Sequence, residues 1–185
     1  EIKNLIEKFY NDTFVVDQNA CSSPHLILWL GKKNMKMQTK FWTVLSNLVD
    51  KKYLSPDTGS VEKYNKLCTN ILELNNLKKY KIYNNSIYTV TLKNLDKNIH
   101  NLRGKWGYFY EYNIKNLNDI KNYINTRYQT LTYFGLDKSI LRNFAIKNRL
   151  DGIDRIVPIG QALDINFFWD GYDLNKILTR IIDIR

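Results

Sequence analysis

The chain has 185 residues, a formal net charge of +10 and 44% hydrophobic residues, and this length suits one domain with a sizeable core. It contains no stretch of about 18 apolar residues that could span a membrane, and no signal-peptide pattern opens it. Two cysteines far apart in sequence do not form the disulfide framework of a small secreted domain. These features predict a soluble globular protein of the reducing cytoplasm.

The first residues of the chain already follow a helical pattern. The chain begins with Glu1, and apolar residues recur at helical spacing at Ile2, Leu5, Ile6 and Phe9. We therefore expect the chain to start inside or at the edge of a helix, with further protein upstream of it.

The next segments alternate between strand and helix patterns. TFVV is either a short strand or the end of the first helix, and the continuous apolar run HLILWLG predicts a strand buried on both faces. TKFWTVLSNLVDKKYL has helical spacing and ends at the turn SPDTGS, after which VEKYNKLCTNILEL predicts another helix. Cys68 falls on the apolar side of that helix with Leu67, Ile71 and Leu72, which predicts a core residue.

The second half of the chain repeats this alternation. SIYTVTL and GYFYEYNI predict strands on either side of a turn from Gly104 to Gly107. LNDIKNYI predicts a helix, QTLTYFG a strand, DKSILRNFAIKNR a helix with Asp137 as N-cap, and IDRIVPIG a strand. Strands alternating with helices predict an α/β fold with a largely parallel sheet, in one domain without an internal boundary.

The positive charge raises nucleic acid as a partner. The lysines are nevertheless scattered, and no basic stripe or known binding motif is present, so we do not expect nucleic-acid binding. A basic nucleic-acid-binding module stays an alternative that salt-sensitive duplex binding would reveal. One local cluster, formed by Lys32, Lys33, Lys36 and Lys40, is either a solvated loop or a site for the phosphates of a nucleotide-like ligand.

Metal and dinucleotide motifs are missing from the sequence. The two histidines, His25 and His100, are far apart, and no C-x-x-C or H-x-x-x-H spacing occurs, so no metal site is expected. No Walker loop or G-x-G-x-x-G is present either. A nucleotide cofactor would have to be held mainly by other residues or by protein upstream.

Cys21 is the principal candidate for chemistry. It lies in the small polar loop NACSSP between two apolar runs, where small neighbours would let a substrate approach a thiolate nucleophile. His25 is a candidate base for it, although only four residues separate the two. From the residues alone, Cys21 is either a nucleophile or an ordinary small loop residue.

Two motifs carry a resemblance to a known family. The segment QNACSSP, together with DRIVPIGQALDI and the following WDGYDL, resembles the acyl-CoA reductases that supply fatty aldehyde in bacterial bioluminescence, within the aldehyde dehydrogenase superfamily. The resemblance implies an α/β domain of the three-layer α/β/α type found in aldehyde dehydrogenase catalytic domains. Residues 1–185 would then be the catalytic part of a two-domain reductase whose cofactor-binding domain lies upstream.

The same resemblance implies a two-step reaction. Cys21 would attack an acyl thioester, and hydride from NADPH would reduce the acyl-enzyme to the aldehyde. The backbone N–H of Cys21 would help to hold the oxyanion. The donor would be acyl-CoA or an acylated partner protein, the assembly a homo-oligomer, and no metal would take part.

The resemblance also implies positions for cofactor and substrate. The superfamily's E-x-F-G segment corresponds to Gly104, Lys105, Trp106 and Gly107, so that Gly104 and Trp106 are candidates for cofactor contact even though the glutamate is absent. The candidates for substrate contact are Asn19, His25, Pro158, Gly160, Gln161 and Trp169. A simpler interpretation of Gly160 is that it forms the turn at the end of a strand. The aromatic run at Trp169 is alternatively part of the core or of an oligomer interface.

A second function is compatible with these observations. The chain would then be a non-catalytic scaffold of the same fold, which docks an acyl-transferring partner through its aromatic and basic surface. Thiol reactivity of Cys21 is the property that separates this hypothesis from the enzyme.

Overall fold

The computed structural model describes all residues from 1 to 185, and strands alternate with helices along most of the chain. The helices are α1 (Ile2–Phe14), α2 (Met35–Lys52), α3 (Asp57–Glu73), α4 (Lys138–Asn148) and α5 (Leu174–Leu178), with 3₁₀ helices at Ile99–Asn101 and Leu117–Tyr123. The strands are β1 (Leu26–Leu30), β2 (Leu77–Tyr83), β3 (Ile87–Leu92), β4 (Tyr108–Ile114), β5 (Thr130–Tyr133), β6 (Arg155–Pro158), β7 (Phe168–Trp169) and β8 (Tyr172–Asp173). None of the helices has the length and hydropathy needed to span a bilayer.

The strands form three sheets. The largest has the order β1-β4-β3-β2, in which β4 runs parallel to both β1 and β3 and only β2 is antiparallel to its neighbour. β5 and β6 form a separate parallel pair, and β7 and β8 form a short hairpin. The α/β class predicted from the sequence is confirmed. The large sheet is mixed, and three of the five strand pairs in the molecule are parallel.

Helices cover both faces of the large sheet. Successive residues of a strand point to opposite faces, and on β4 Tyr108 and Tyr110 belong to one hydrophobic cluster while Phe109 belongs to another. The cluster around Phe109 is completed by α1 and α2, and that around the tyrosines by α3, α4 and the 3₁₀ helix at Leu117–Tyr123. Two separate cores therefore stabilise the central strands from both sides.

The strand β1 differs from its predicted environment. Its run of apolar residues predicts burial on both faces, but the strand is only half-buried and Leu30 is exposed. β1 pairs with β4 alone and lies at the edge of the sheet, where its side chains border a cavity described below. The apolar run therefore reflects a strand beside a cavity and not a strand in the middle of a sheet.

The helix α3 also differs from its prediction. Its buried stripe is formed by Gly59, Lys63, Leu67 and Asn70, whereas Ile71 and Leu72 are exposed to 47% and 84%. The prediction that the apolar side of this helix contains Ile71 and Leu72 is wrong, and Cys68, which lies between the two sides, is half-buried. Polar residues are tolerated in this stripe because they find hydrogen-bond partners there. Lys63 donates to the backbone carbonyl of Asn85, and Asn70 donates to the hydroxyl of Tyr108.

Two further segments refine the predictions. TFVV continues the first helix, since Thr13 and Phe14 are its last residues. LNDIKNYI forms a 3₁₀ helix and not an α-helix, with a capping box between Asn116 and Asp119. The N-cap role of Asp137 is confirmed, because its carboxylate accepts a hydrogen bond from the Ser139 amide at 2.7 Å.

Candidate functional site

The predicted nucleophile lies in the loop of residues 15–25, which joins α1 to β1. Asp17 and Gln18 both adopt left-handed backbone angles, with φ of 55° and 59°, and they turn the chain away from the helix. A second turn follows, closed by the Ser23 amide donating to the Ala20 carbonyl at 3.0 Å. Cys21 sits at this turn with its side chain exposed.

Gln18 holds this loop against the start of β4. Its side-chain NH₂ donates to the carbonyls of Pro24 and Tyr108, at 2.8 and 3.0 Å. Its side-chain oxygen accepts from the amides of Gly107 and Tyr108, at 3.0 and 3.2 Å. Gln18 is fully buried, and every polar atom of its amide is used. The sequence gives no sign of this role, because it depends on a strand about ninety residues away.

Cys21 borders a large cavity. The cavity has a volume of about 490 Å³, and 25 of the 36 residues that line it are hydrophobic. Every residue of β1 and every residue of β5 contributes to its wall, so the cavity lies between the edge of the large sheet and the separate β5–β6 pair. Its size and apolar lining are those of a small-molecule site.

The backbone around Cys21 offers unused donors. The amides of Ala20, Cys21 and Ser22 donate no hydrogen bond to another backbone group, whereas those of Asn19 and Ser23, at the two ends of this run, do. Neighbouring free N–H groups of this kind can stabilise a developing negative charge on oxygen. The loop therefore combines an accessible thiol with donors that are free to bind an oxyanion.

His25 does not act as a base for Cys21 in this geometry. Its Nε2 lies 3.3 Å from a guanidinium nitrogen of Arg103. A guanidinium group only donates, so Nε2 accepts and the proton of the neutral ring is on Nδ1, the ring atom left to face the Gly104 backbone. Burial, and then the positive charge of Arg103, lower the pKa of His25 to about 4, and the Gly104 backbone opposes this shift. No nitrogen of His25 is left to accept the thiol proton.

Two of the candidate substrate residues, Asn19 and His25, belong to the Cys21 loop itself. His25 lines the cavity, whereas Asn19 is exposed and does not contribute to its wall. Substrate contact by either residue remains a prediction.

The candidates Pro158, Gly160 and Gln161 form a turn that is fixed to α1. The Asp12 carboxylate accepts from the amides of Gly160 and Ala162, at 2.6 and 3.0 Å. Gly160 has a φ of +99°, and a Cβ there would lie 2.8 Å from Cβ of Lys8. None of the three lines the cavity, although Ile159 between them does. The turn therefore has a structural explanation, and substrate contact remains a prediction.

Asp12 was not identified from the sequence. It is buried on α1, and burial raises the pKa of its carboxyl group, an effect that the two backbone hydrogen bonds oppose. The only signal for it in the sequence is an acidic residue within the amphipathic pattern of the first helix.

The candidate cofactor residues are engaged within the chain. A Cβ on Gly104 would lie 2.0 Å from the carbonyl oxygen of Tyr108, which by itself accounts for a glycine there. Trp106 donates from Nε1 to Glu62 at 2.7 Å and packs against Gly59 in the first turn of α3. These contacts form no cradle for a nicotinamide, and cofactor contact at both residues remains a prediction.

Trp169 lies away from the Cys21 loop, on the short hairpin formed by β7 and β8. The guanidinium carbon of Arg155 stands 4.8 Å from the centroid of the Trp169 ring, a cation–π arrangement. Trp169 does not line the cavity, and its role in binding an acyl chain remains a prediction.

Two general findings complete the description of the site. No three His, Cys, Asp or Glu side chains come together in a way that could hold a metal ion. In comparisons with known proteins, no protein-family model and no curated protein matches this chain.

Proposed function

We propose that the chain is the cysteine-bearing catalytic part of an acyl-thioester reductase of the aldehyde dehydrogenase type, in which Cys21 carries the acyl group. The observation that carries the proposal is an exposed thiol on a firmly anchored loop beside a largely apolar cavity of about 490 Å³. The resemblance of QNACSSP and WDGYDL to the acyl-CoA reductases supplies the reaction class. Helices on both faces of the sheet support a three-layer fold of that kind.

The acyl-transfer step follows from the residues of the loop. The thiolate sulfur of Cys21 attacks the thioester carbonyl carbon, which forms a C–S bond and places negative charge on the carbonyl oxygen. The free amides of Cys21 and Ser22 would stabilise that oxyanion. Its collapse breaks the original C–S bond, and the leaving thiolate takes the proton that Cys21 gave up. One thioester is exchanged for another, so no oxidant or reductant is consumed.

The cavity explains where the acyl chain would go. Its apolar wall includes all of β1, and burial of an alkyl chain there would stabilise the complex by about 0.8 kcal/mol for each CH₂ group removed from water. A long chain would therefore bind more tightly than a short one.

The reductive step rests on the resemblance. A bound reduced nicotinamide, NADPH in the reductases that this chain resembles, would supply the hydride that converts the acyl-enzyme to an aldehyde. Because Gly104 and Trp106 are occupied by contacts within the chain, no reductive step is derived from them. An acyl-CoA or acylated-protein donor, a homo-oligomeric assembly and a cytoplasmic location belong to the same proposal.

The proposal is tested by acylation. We expect incubation with a long-chain acyl-CoA to add one acyl group to the chain, seen by intact-protein mass spectrometry and removed by hydroxylamine. Cys68→Ser, which removes the half-buried cysteine of α3, is the matched control and should be acylated like the unaltered chain. Cys21→Ser should not be acylated. Equal acyl transfer to the Cys21→Ser variant would contradict the proposal.

A second candidate is the non-catalytic scaffold, and one observation favours it. The segment around the β7–β8 hairpin exposes large apolar side chains, among them Ile165, Phe167, Phe168 and Tyr172, as a docking surface would. In that case Cys21 should react with a thiol reagent no faster than a free cysteine. Faster labelling of Cys21, together with the acyl adduct, would exclude the scaffold.

A further inference from the structure

The charged residues that line the cavity are all of one sign. Arg103 and Arg127 are the only charged side chains in its wall, which contains no Asp, Glu or Lys. Both are exposed as well as part of the wall, so they stand where the cavity meets solvent. The mouth of an otherwise apolar cavity therefore has a net positive charge.

Neither arginine is neutralised by an acidic partner. The only ion pairs of the chain are Lys176 with Asp173 and Arg185 with Asp183, both near its end. Arg103 and Arg127 instead each contact a histidine, His25 and His100 respectively, through the Nε2 atom of the ring. Both histidines of the chain thus lie in this one cavity and hold an arginine in place.

The cavity also collects polar atoms that have no partner. Seven buried side-chain polar atoms of the chain make no hydrogen bond within ordinary geometry, and four of them belong to residues that line this cavity. His25 Nδ1 faces the Gly104 backbone, which leaves Ser23 Oγ, His100 Nδ1 and Tyr128 OH without a partner. Buried polar groups without partners are rare in proteins, because each costs free energy comparable to a lost hydrogen bond. Three such atoms line this one cavity, and a polar group of a bound ligand would satisfy them.

These unpartnered atoms are suited to an acceptor. In each Arg–His pair the guanidinium only donates, so the ring accepts through Nε2 and carries its proton on Nδ1 as a donor. The hydroxyls of Ser23 and Tyr128 also donate. Arginines and these donors together are complementary to an anion, since charge-assisted bonds from Arg to carboxylate or phosphate oxygens are among the strongest in proteins.

We propose that Arg103 and Arg127, with the donors around them, bind the anionic head group of a single-chain amphiphile whose apolar chain fills the cavity beside β1 and β5. The head group is a carboxylate or a phosphate monoester, since both present the oxygens that the arginines recognise. This site does not require covalent chemistry at Cys21, so it goes beyond the proposed function.

The experiment is calorimetric titration of the full chain with three ten-carbon probes, decanoate, decyl phosphate and decanol, each below its micelle concentration. At least one anion should bind about tenfold or more tightly than decanol, because the arginines form charge-assisted hydrogen bonds with an anionic head group that the alcohol cannot accept. The anion that binds more tightly identifies the head group.

The variants decide whether the arginines are responsible. In Arg103→Gln with Arg127→Gln, decanol should bind as before, which shows that the cavity is intact, and the preference for the anion should disappear. Arg142→Gln, an exposed arginine of α4 outside the cavity, should keep the full preference. The proposal is overturned if neither anion is preferred over decanol, or if the preference survives in the double variant.

Cys21→Ser separates this proposal from the acylation chemistry. This variant should keep the preference for the anion over decanol even though Cys21 lines the cavity, because the preference comes from the arginines and not from the thiol. Acylation without anion preference would contradict this site and leave the proposed function standing. Anion preference without acylation would contradict only the proposed function.

Discussion

Gln18 shows how one side chain positions the Cys21 loop. A glutamine amide has two donors and an acceptor oxygen with two lone pairs, and here all four sites are used by the carbonyls of Pro24 and Tyr108 and the amides of Gly107 and Tyr108. Because the partners belong to the Cys21 loop and to the start of β4, the position of Cys21 is set by the central strand. The left-handed backbone of Gln18 itself adds a conformational cost that these bonds offset.

Gln18→Glu tests this anchor with almost no change in shape. A carboxylate keeps the two accepting contacts but faces the carbonyls of Pro24 and Tyr108 without a proton, so we expect a loss of about 3 kcal/mol in the free energy of unfolding. Urea denaturation measures it, and labelling of Cys21 by a thiol reagent should change in rate. Part of the loss should be recovered at acid pH, where the protonated glutamic acid regains one donor.

The matched control is Asn19→Asp, which makes the same chemical change on the next residue, where the side chain is exposed. We expect it to change the unfolding free energy by less than about 0.5 kcal/mol. Similar losses in the two variants would mean that added negative charge in the loop, and not the hydrogen bonds of Gln18, sets its stability.

Among the elements, the hairpin of β2 and β3 depends on α3. The turn between the strands places Asn84 and Asn85 in the left-handed region, with φ of 47° and 58°, as hairpin turns of this length require. Lys63 of α3 reaches the turn and donates to the carbonyls of Asn85 and Ser86, at 2.8 and 2.9 Å. It is buried, and burial lowers its pKa from 10.5 to about 8, against the raising effect of Asp50.

Lys63 should therefore give the protein a distinctive dependence of stability on pH. Between pH 8 and 10.5 the unfolded chain holds the Lys63 proton and the folded chain does not, so the free energy of unfolding rises with pH across that window. The stabilisation that comes from this pKa difference is fully present above 10.5, the pKa of Lys63 in the unfolded chain. It is lost as the pH falls through about 8, the pKa of Lys63 in the folded chain. The total change is on the order of 3 kcal/mol.

The measurement is the difference in unfolding free energy between the unaltered chain and Lys63→Met from pH 7 to 10.5. Burial raises the pKa of several tyrosines, Tyr108 and Tyr110 among them, and the subtraction removes their effect because both proteins contain them. We expect the difference to increase with pH, and Lys36→Met, an exposed lysine of α2, to show no such trend. A flat difference for Lys63→Met would mean that the folded chain keeps the Lys63 proton throughout.

Helices and strands were predictable from the sequence where the spacing of residues within one segment determines them. The helical spacing of α1, α2 and α4 and the N-cap at Asp137 are local features, and the structure confirms them. The strand β2 was not predicted, although LKKYKIY alternates in burial as an exposed-edge strand does, because its lysines concealed the pattern. The stripe of α3 was assigned wrongly because its buried members include Lys63 and Asn70, whose burial depends on partners in the hairpin and on β4.

At the scale of the whole molecule, the site is assembled from parts that no local pattern links. The loop around Cys21 was identified from its composition, but the cavity beside it joins β1 to β5 and brings Arg103 and Arg127 together from distant segments. A contact between the two sheets depends on the path of the whole chain, which spacing within one segment does not encode. Sequence reasoning therefore identified the thiol and missed the cavity, the arginines and Gln18.

Glu111 on β4 links the large sheet to the layer of helices around Phe109. Its carboxylate is buried and accepts from Nε1 of Trp29 on β1 and of Trp42 on α2, both at 3.0 Å, and from the Thr91 hydroxyl on β3 at 2.6 Å. One side chain of the central strand thus joins both neighbouring strands and a helix. The three donors would each be buried without an acceptor if it were removed.

Two variants of Glu111 separate its hydrogen bonds from its charge. Glu111→Gln keeps an oxygen for the two indoles and turns its NH₂ toward Thr91, whose hydroxyl can accept, so its unfolding free energy should stay within about 1 kcal/mol of the unaltered chain. Glu111→Leu leaves all three donors unpaired and should lose about 3 kcal/mol or more. Urea denaturation followed by tryptophan fluorescence reports both the free energy and the indole surroundings. A leucine variant as stable as the glutamine variant would mean that the three side-chain hydrogen bonds at this position stabilise the fold no more than apolar packing does.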